Sequence, residues 1–286
     1  MGVLFAFLAL LCWGFGDFQI QKSTRKVGSL ITLFYIDLIG TIALLPFVLD
    51  EIKVLISEHV GLTVLIAASS ILVVAALLEF QALKKGKISV VEPVFSFELF
   101  VTTILSAIII NELPGKEGAL ALAGMIVGIF LVSIKSFSNI HKLHLERGVW
   151  IALLATFAMA FVNFLFGIGA RETSPLMINW FTSAFVLLIT TTAITIRSQW
   201  NELKIDFKTY PKLIATVGVV DNLAWLFFAY SMTLIPIAIA TGISEGYIAL
   251  TAMLGIIFGK EKLTHHQKMG LVLVIVSAVI LGLIGT

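Results

Sequence analysis

Residues 82–112 read ALKKGKISVVEPVFSFELFVTTILSAIIINE, and this stretch is the strongest indication of how the chain folds. A basic turn leads into an apolar run that is long enough to cross a lipid bilayer. Glu92 and Glu98 lie inside that run, with Pro93 between them. A carboxylate at mid-membrane costs about 2.5–3.5 kcal/mol on insertion scales, and Pro93 leaves a backbone carbonyl without its helical donor. The run therefore predicts a membrane helix beside a polar cavity. The alternative is a structural kink whose two carboxylates are hydrogen-bonded between helices.

The whole chain has the composition of a polytopic membrane protein. Of its 286 residues, 59% are hydrophobic and only 13% are charged, whereas soluble domains have about 25% charged residues. The single cysteine, Cys12, excludes an internal disulfide and offers no zinc-type spacing. No basic patch is large enough to favour nucleic acid. The apolar N-terminus has neither a basic start nor a cleavage site, so we interpret it as a first span.

Apolar runs of spanning length recur along the chain, separated by charge clusters or by Gly and Pro. We therefore predict an all-α membrane protein with ten transmembrane helices. The connection between the eighth and ninth runs is short and uncharged, and a polar stretch, 135–148, follows the fifth. The runs are 2–21, 29–48, 61–83, 88–110, 118–134, 149–169, 175–196, 212–233, 235–258 and 269–285.

The ten runs divide into two copies of five. Residues 2–18 align with residues 148–164 at an offset of 146, and further on the offset becomes 149, so that Thr102 meets Thr251. Chance similarity between apolar helices is the alternative explanation. Because five is odd, the second copy must enter the membrane from the opposite side, which predicts a binding site near mid-membrane between the halves. The predicted domains are inverted five-helix repeats, 1–136 and 146–286.

Several short motifs carry a family resemblance. They are Trp13-Gly14, the series Ala82, Gly86, Ser89 and Pro93, then Glu112-Leu113, Glu261-Lys262-Leu263 and Gly270. In these motifs the chain resembles the drug/metabolite transporter superfamily, specifically its ten-helix EamA-type members. The resemblance implies transport of a small metabolite through a cavity built from the first, third, fourth, sixth, eighth and ninth helices. Two features depart from the family: Gly242 replaces the proline expected in the second copy, and the spans are unusually acidic.

The basic residues predict the orientation of the chain. Of its 19 Lys and Arg residues, all but Lys53, Lys116 and Arg171 lie in loops after odd-numbered helices. Short basic loops stay in the cytoplasm, so both termini are expected outside. EamA-type members usually have both termini inside, and we follow the charge distribution. The expected location is the inner (plasma) membrane of a bacterium.

Seven carboxylates lie within the spans, whereas all 19 Lys and Arg residues lie in loops or at helix ends. Exposed to lipid, they would together cost about 20 kcal/mol, more than a typical net stability, so most must face one another, polar neighbours or water. Crowded carboxylates repel one another, so some are expected to hold a proton near neutral pH. We interpret Asp37, on a second helix expected outside the cavity wall, as a pairing residue. The seven are Asp17, Asp37, Glu79, Glu92, Glu98, Asp221 and Glu245.

Aromatic residues accompany these acids at helical spacing. Trp13 and Asp17 are four residues apart, as are Asp221 and Trp225, and an aromatic face beside a carboxylate suits an organic cation. Core packing or an interfacial belt is the alternative for each ring, and the belt is the prediction for Trp150 and Trp200 at span ends. The predicted substrate-binding residues are Trp13, Asp17, Glu79, Glu92, Glu98, Asn163, Asp221, Asn222, Trp225, Glu245 and Tyr247.

We predict a secondary transporter that moves a small amine-bearing or cationic metabolite by alternating access. Proton exchange at Glu245 and Glu92 is a further hypothesis. No catalytic residue, cofactor or metal ligand set is predicted, and the chain is not expected to be an enzyme. The alternatives are a divalent-cation carrier or channel and, less favoured because the spans lack a basic phosphate ligand, a membrane-embedded Mg²⁺-dependent enzyme. The expected partners are a small-molecule substrate, protons and lipid, with the chain a monomer or homodimer and no nucleic acid bound.

Overall fold

Twelve helices make up the described part of the chain. The structure is a computed structural model and describes residues 1–59, 61–85, 91, 94–134, 147–258 and 264–285. The helices are α1 (Gly2–Val27), α2 (Ser29–Glu58), α3 (Leu62–Lys85), α4 (Phe97–Ile109), α5 (Gly115–Ser133), α6 (Arg147–Glu172), α7 (Pro175–Ile196), α8 (Trp200–Thr209), α9 (Pro211–Leu234), α10 (Ile237–Ser244), α11 (Tyr247–Phe258) and α12 (His265–Ile284).

These helices form ten crossings, which confirms the predicted fold class. Among the described residues, eight helices are long and apolar enough to span a membrane, and two shorter apolar segments, Phe97–Ile109 and Ile237–Thr251, complete the set. The predicted boundary between the eighth and ninth crossings is also present. α9 ends at Leu234 and α10 begins at Ile237, because Pro236 has no N–H with which to continue the first helix.

Two helical segments extend beyond what the apolar runs predict. α2 continues past residue 48 to Glu58, where Leu55 is buried and Lys53 pairs with Asp50 at 2.7 Å. α8 lies between the seventh and eighth apolar runs, where the sequence predicts a loop. Apolar run length detects membrane spans, and it does not detect short or amphipathic helices at their ends.

α8 is held against α2 at the end of the membrane span. Tyr35 donates a hydrogen bond from its hydroxyl to the Leu203 carbonyl at 2.7 Å, and its ring stacks on Phe207 at 5.8 Å between centroids. Leu203 is buried, whereas Ile205 and Phe207 are exposed. The helix therefore has one side on the protein and an apolar side free for the membrane interface.

Matching hydrogen bonds relate the two repeats. The Thr102 hydroxyl donates to the Ala160 carbonyl at 3.3 Å, and the Thr251 hydroxyl donates to the Gly14 carbonyl at 3.1 Å. The offsets of 149 and 146 found in the sequence convert one bond into the other. Each repeat thus bonds its fourth crossing to the first crossing of the other repeat, and the halves interlock.

The fourth and ninth crossings are broken at corresponding places. α4 begins after a turn at Ser96, and the ninth crossing breaks at Glu245, between α10 and α11. These positions are also 149 residues apart, and both side chains are buried. Non-helical backbone at membrane depth is tolerated only inside protein or beside water. The two breaks therefore place polar backbone at the centre of the molecule.

Close contact between glycines joins α5 to α12. A Cβ added at Gly128 would lie 2.9 Å from the Gly270 carbonyl oxygen, and one added at Gly270 would lie 2.7 Å from the Gly128 carbonyl oxygen. Small residues of this kind let membrane helices approach through their backbones. These positions therefore serve packing.

Candidate functional site

A buried cavity lies between the two repeats, beside the broken ninth crossing. Its walls come from α1, α2, α3 and α4 of the first repeat, and from α6, α7, α9 and the α10–α11 break of the second. Its volume is about 70 Å³. Since one buried water needs at least ~10–15 Å³, the cavity has room for several waters.

The cavity brings together predicted site residues that are far apart in the sequence. Glu92 lies outside the described residues. Every other candidate residue lines the cavity: Trp13, Asp17, Glu79, Glu98, Asn163, Asp221, Asn222, Trp225, Glu245 and Tyr247.

The acids in the cavity are buried, apart from the partly exposed Glu79, and no Lys or Arg among the described residues lines the cavity to neutralise them. Asp17 is 2% exposed and Glu245 is 3% exposed. These two, Glu79 and Asp221 lie near enough for their charges to interact. Asp17 Oδ2 and Glu245 Oε2 have no hydrogen-bond partner among the described residues. Buried carboxylate oxygens in this state need a proton, water or a cation as partner.

Neutral side chains connect the broken crossing to both repeats. The Tyr247 hydroxyl is a hydrogen-bond partner of Asp17, and Asn163 Nδ2 donates to Glu245 Oε1 at 3.5 Å. Asp17 and Asn163 occupy matching positions in the first and sixth helices. The polar break of the ninth crossing therefore has hydrogen-bond partners in both halves of the molecule.

Aromatic rings form one wall of the cavity. Trp13 lies at the centre of this wall, with its ring centroid 5.3 Å from Trp225, 5.1 Å from Phe228 and 5.8 Å from Tyr247. Phe166 lies 4.7 Å from Trp225. Edge-to-face and tilted contacts of this type keep large rings in fixed positions. The result is a rigid π-rich surface beside buried carboxylates, which suits a desolvated organic cation.

The second helix also lines the cavity, so its expected place outside the wall was wrong. Leu33, Ile36 and Asp37 of α2 face the cavity. Asn222 Nδ2 donates to the Ile36 carbonyl at 2.9 Å and holds α2 against α9, while Gly40 has no side chain and so admits the Asn222 amide. Asp37 forms no ion pair with a described residue, and its Oδ2 is buried without a hydrogen-bond partner among them. Asp37 thus belongs with the other acids.

Polar residues of α7 line the cavity and were missed from the sequence. Asn179, Thr182 and Ser183 reach it from one face of the helix. Asn179 Nδ2 donates to the Pro175 carbonyl at 2.7 Å. The signal was the three- to four-residue spacing of these polar side chains within an apolar run. Trp180, next in the chain, does not line the cavity and packs partly buried against the core.

An ion pair joins the repeats on the side of the even-numbered loops. Arg171 Nη2 lies 3.0 Å from Glu112 Oε1. Arg171 also donates to two carbonyls at the end of α9, those of Met232 at 2.7 Å and Ile235 at 3.1 Å. The Ile237 N–H donates to Glu112 Oε2 at 2.7 Å, so that Glu112 caps α10 as well as pairing. One ion pair therefore ties the end of the fourth crossing to the sixth, eighth and ninth.

A metal centre finds no support among the described residues. No three His, Cys, Asp or Glu side chains in the described part of the chain are placed to hold one ion. His141 and His144 lie outside the described residues. A ring nitrogen of His266 bonds to the Ile134 carbonyl at 2.7 Å. This histidine therefore has a structural partner.

Comparison with known proteins finds a relative, a structural neighbour and a matching family. An uncharacterized protein of Methanocaldococcus jannaschii is 27% identical over 134 residues, which is 47% of this chain and 97% of that protein. A solved crystal structure superposes with a TM-score of 0.73 at 14% identity, covering 99% of this chain and 96% of the other, and shares the fold. The sequence profile of the EamA-like transporter family matches residues 1–134 and again 146–283. Because that match spans both halves, the chain belongs to the EamA-like transporter family.

Proposed function

We propose that this protein is a secondary transporter for a small organic cation or amine-bearing metabolite. One observation carries the proposal. Carboxylates from both repeats meet in one buried cavity that has an aromatic wall and, in the described part of the chain, no lining Lys or Arg. A cationic group would provide the partner that Asp17 Oδ2 and Glu245 Oε2 lack among the described residues. The same interior would repel an anion and would desolvate a neutral molecule without compensation.

The aromatic wall favours an organic cation over a divalent metal ion. Mg²⁺ and Ca²⁺ need six or more oxygen ligands at about 2.0–2.6 Å, supplied by convergent side chains or water. The described acids do not converge in that way. Trp13, Trp225 and Tyr247 instead offer ring surfaces beside the acids, and an alkylammonium group gains from both charge and π-face.

Alternating access follows from the proposed arrangement of the halves, inverted repeats over residues 1–136 and 146–286. The ion pair between Arg171 and Glu112 links the two repeats on the side of the even-numbered loops. Apart from Trp13 and Leu72, which lie just beyond the midpoints of their helices, the cavity residues of α1, α2 and α3 come from the halves of those helices nearest the basic loops. We infer that this conformation is closed on the Arg171 side, and that opening there breaks the ion pair while the halves rock around the cavity.

Proton coupling is part of the proposal. Glu245 and Asp17 would hold protons in the empty carrier and release them to water when the substrate cation binds, since the proton and the cation need the same carboxylate oxygens. Glu92, the other expected proton site, lies outside the described residues. In proteoliposomes, an imposed pH gradient should drive uptake of the cation, and a flux that ignores the gradient would remove coupling while leaving transport in place.

The binding step can be tested on purified protein. We expect alkylammonium compounds and amines to raise the melting temperature in detergent, whereas neutral compounds of equal size do not. Glu245→Gln should abolish the shift because it removes a cavity charge. Glu117→Gln, the same change at an exposed site on α5, should leave the shift unchanged. If no cation stabilises the protein, or if both variants behave alike, the proposed substrate class is wrong.

The orientation is proposed from the charge distribution, with both termini outside. A reporter protein that fluoresces only in the cytoplasm, fused after Thr286, should remain dark. A fluorescent fusion would reverse the assignment of sides and leave the cavity argument unchanged.

A further inference from the structure

A second pocket lies at the basic end of α1, where it meets the start of α9. Lys22 and Lys26 of α1, Tyr210 before α9 and Lys212 in its first turn form the upper part of the pocket, whose volume is about 430 Å³. None of its lining residues lines the cavity between the repeats. We propose that this pocket binds the phosphate headgroup of an anionic phospholipid.

The charge of the pocket is uncompensated. None of the described acidic residues lines it, and Lys22, Lys26 and Lys212 form no ion pair with any described carboxylate. The Lys26 ammonium lies 4.5 Å from the centroid of the Tyr210 ring, which fixes its position at the pocket wall. Basic residues placed at the edge of a membrane attract anionic headgroups, so three of them around one hollow favour a bound phosphate.

The start of α9 adds backbone donors to the same pocket. Pro211 is the first residue of the helix, and Lys212 and Leu213 follow it along the pocket wall. The first N–H groups of a helix have no intrahelical acceptor and carry the positive end of the helix dipole. Lysine charges and backbone donors from two helices therefore converge on one place.

The depth of the pocket favours a lipid over a soluble anion. Gln19 and Thr216 line its inner part, one to two turns farther into the membrane than the lysines. Beyond them α1 and α9 remain in contact, since a Cβ at Gly16 would lie 3.5 Å from Val220 Cγ1. At the depth of Gly16 and Val220, the exposed residues of α1 and α9 are large, apolar and about half exposed: Phe15, Phe18, Val219 and Leu223. An acyl chain can follow this surface while its headgroup stays among the lysines.

The preceding helix places the pocket at headgroup depth. α8 ends one residue before Tyr210 and exposes Ile205 and Phe207, by 61% and 52%. An amphipathic helix with exposed apolar residues lies in the plane of the interface. The corner between α8 and α9 therefore meets the membrane where phosphate groups are found.

Lipid binding to the purified full-length protein tests the proposal. Native mass spectrometry in detergent should show phosphatidylglycerol binding at least about tenfold more tightly than phosphatidylcholine. The variant Lys22→Gln/Lys26→Gln/Lys212→Gln should lose this preference, because each lysine contributes up to about fivefold. Lys22→Gln alone should show the fivefold step if the triple variant folds poorly. Millimolar inorganic phosphate should displace little lipid, because it lacks the acyl chains.

A matched variant distinguishes a site from general surface charge. Lys85→Gln/Lys204→Gln/Lys208→Gln removes three exposed lysines on the same side of the membrane but outside the pocket, and it should retain the preference. Equal loss in both triple variants, full displacement by phosphate, or no preference for the anionic lipid would each overturn the proposal. The measurement does not involve transport, so its outcome is independent of the proposed function.

Discussion

The ion pair between Arg171 and Glu112 is expected to control opening on the side of the even-numbered loops. Arg171 makes one ionic contact and two carbonyl hydrogen bonds, and its side chain is 32% exposed, against 20% for Glu112. A hydrogen bond that involves a charged group is worth about 1.5–3 kcal/mol when buried, and partial exposure lowers the ionic part. For Arg171→Gln we expect the closed state to lose about 2 kcal/mol, which shifts the open-to-closed ratio about 30-fold.

Accessibility of the cavity reports this shift. In a Cys12→Ala background, Ser183→Cys places the only thiol at the cavity wall. An impermeant maleimide added on the Arg171 side should then label this thiol up to about 30-fold faster when Arg171→Gln is present. Glu112→Gln should have a smaller effect, because its amide oxygen can still accept the Ile237 N–H. The double variant should show less than the sum of the two single effects.

An exposed ion pair on the same side provides the control. Lys53 and Asp50 are separated by 2.7 Å but are 76% and 93% exposed and lie on one helix. Pairs of this kind contribute about 0–1 kcal/mol, so Lys53→Gln should leave the labelling rate unchanged. If Arg171→Gln has no more effect than Lys53→Gln, the ion pair does not hold that side closed.

Three further variants test other parts of the argument. Trp13→Leu should weaken binding of a cation found in the amine screen by up to about 30-fold, since a desolvated cation–π contact is worth about 2 kcal/mol, and Trp13→Phe should lose less. Gly270→Ala should lower the melting temperature in detergent, because its methyl group would lie 2.7 Å from the Gly128 carbonyl oxygen and overpacking costs about 1–3 kcal/mol. Burial, aided by the charge of Glu202, raises the pKa of Asp206 above its ordinary value. Folding therefore favours the protonated carboxyl of Asp206. The free energy of unfolding falls as the pH rises through the raised pKa, because the carboxyl must then carry a charge in the folded protein. Asp206→Asn should raise the melting temperature at neutral pH, an effect that disappears below the ordinary aspartate pKa.

The crossings and their pairing into repeats were accessible to sequence reasoning because a bilayer imposes them locally. Every spanning segment needs about 20 apolar residues and internal hydrogen bonding, so run length alone located the crossings. Polar residues that recur at a nearly constant offset then related the halves. Thr102 and Thr251 illustrate this, since both make equivalent hydrogen bonds in the folded chain.

The acids could be identified as site residues from their cost in lipid, but their neighbours could not. In a soluble helix the apolar stripe marks the inner face, whereas lipid is as apolar as a protein core, so hydropathy does not say which side of a membrane helix faces inward. Asp37 was therefore assigned to pairing, and Asn179, Thr182 and Ser183 were passed over.

Hydropathy, charge placement and internal similarity thus establish ten spans, two opposed halves and a set of acids that lipid alone would not tolerate. The rotation of each helix about its axis depends on contacts between residues far apart in the chain, such as Asn222 with the Ile36 carbonyl and Arg171 with Glu112. Those contacts bring the acids to one aromatic-walled cavity. They arise from the packing of helices in three dimensions, and the order of apolar residues along the chain does not predict which residues of different helices will touch.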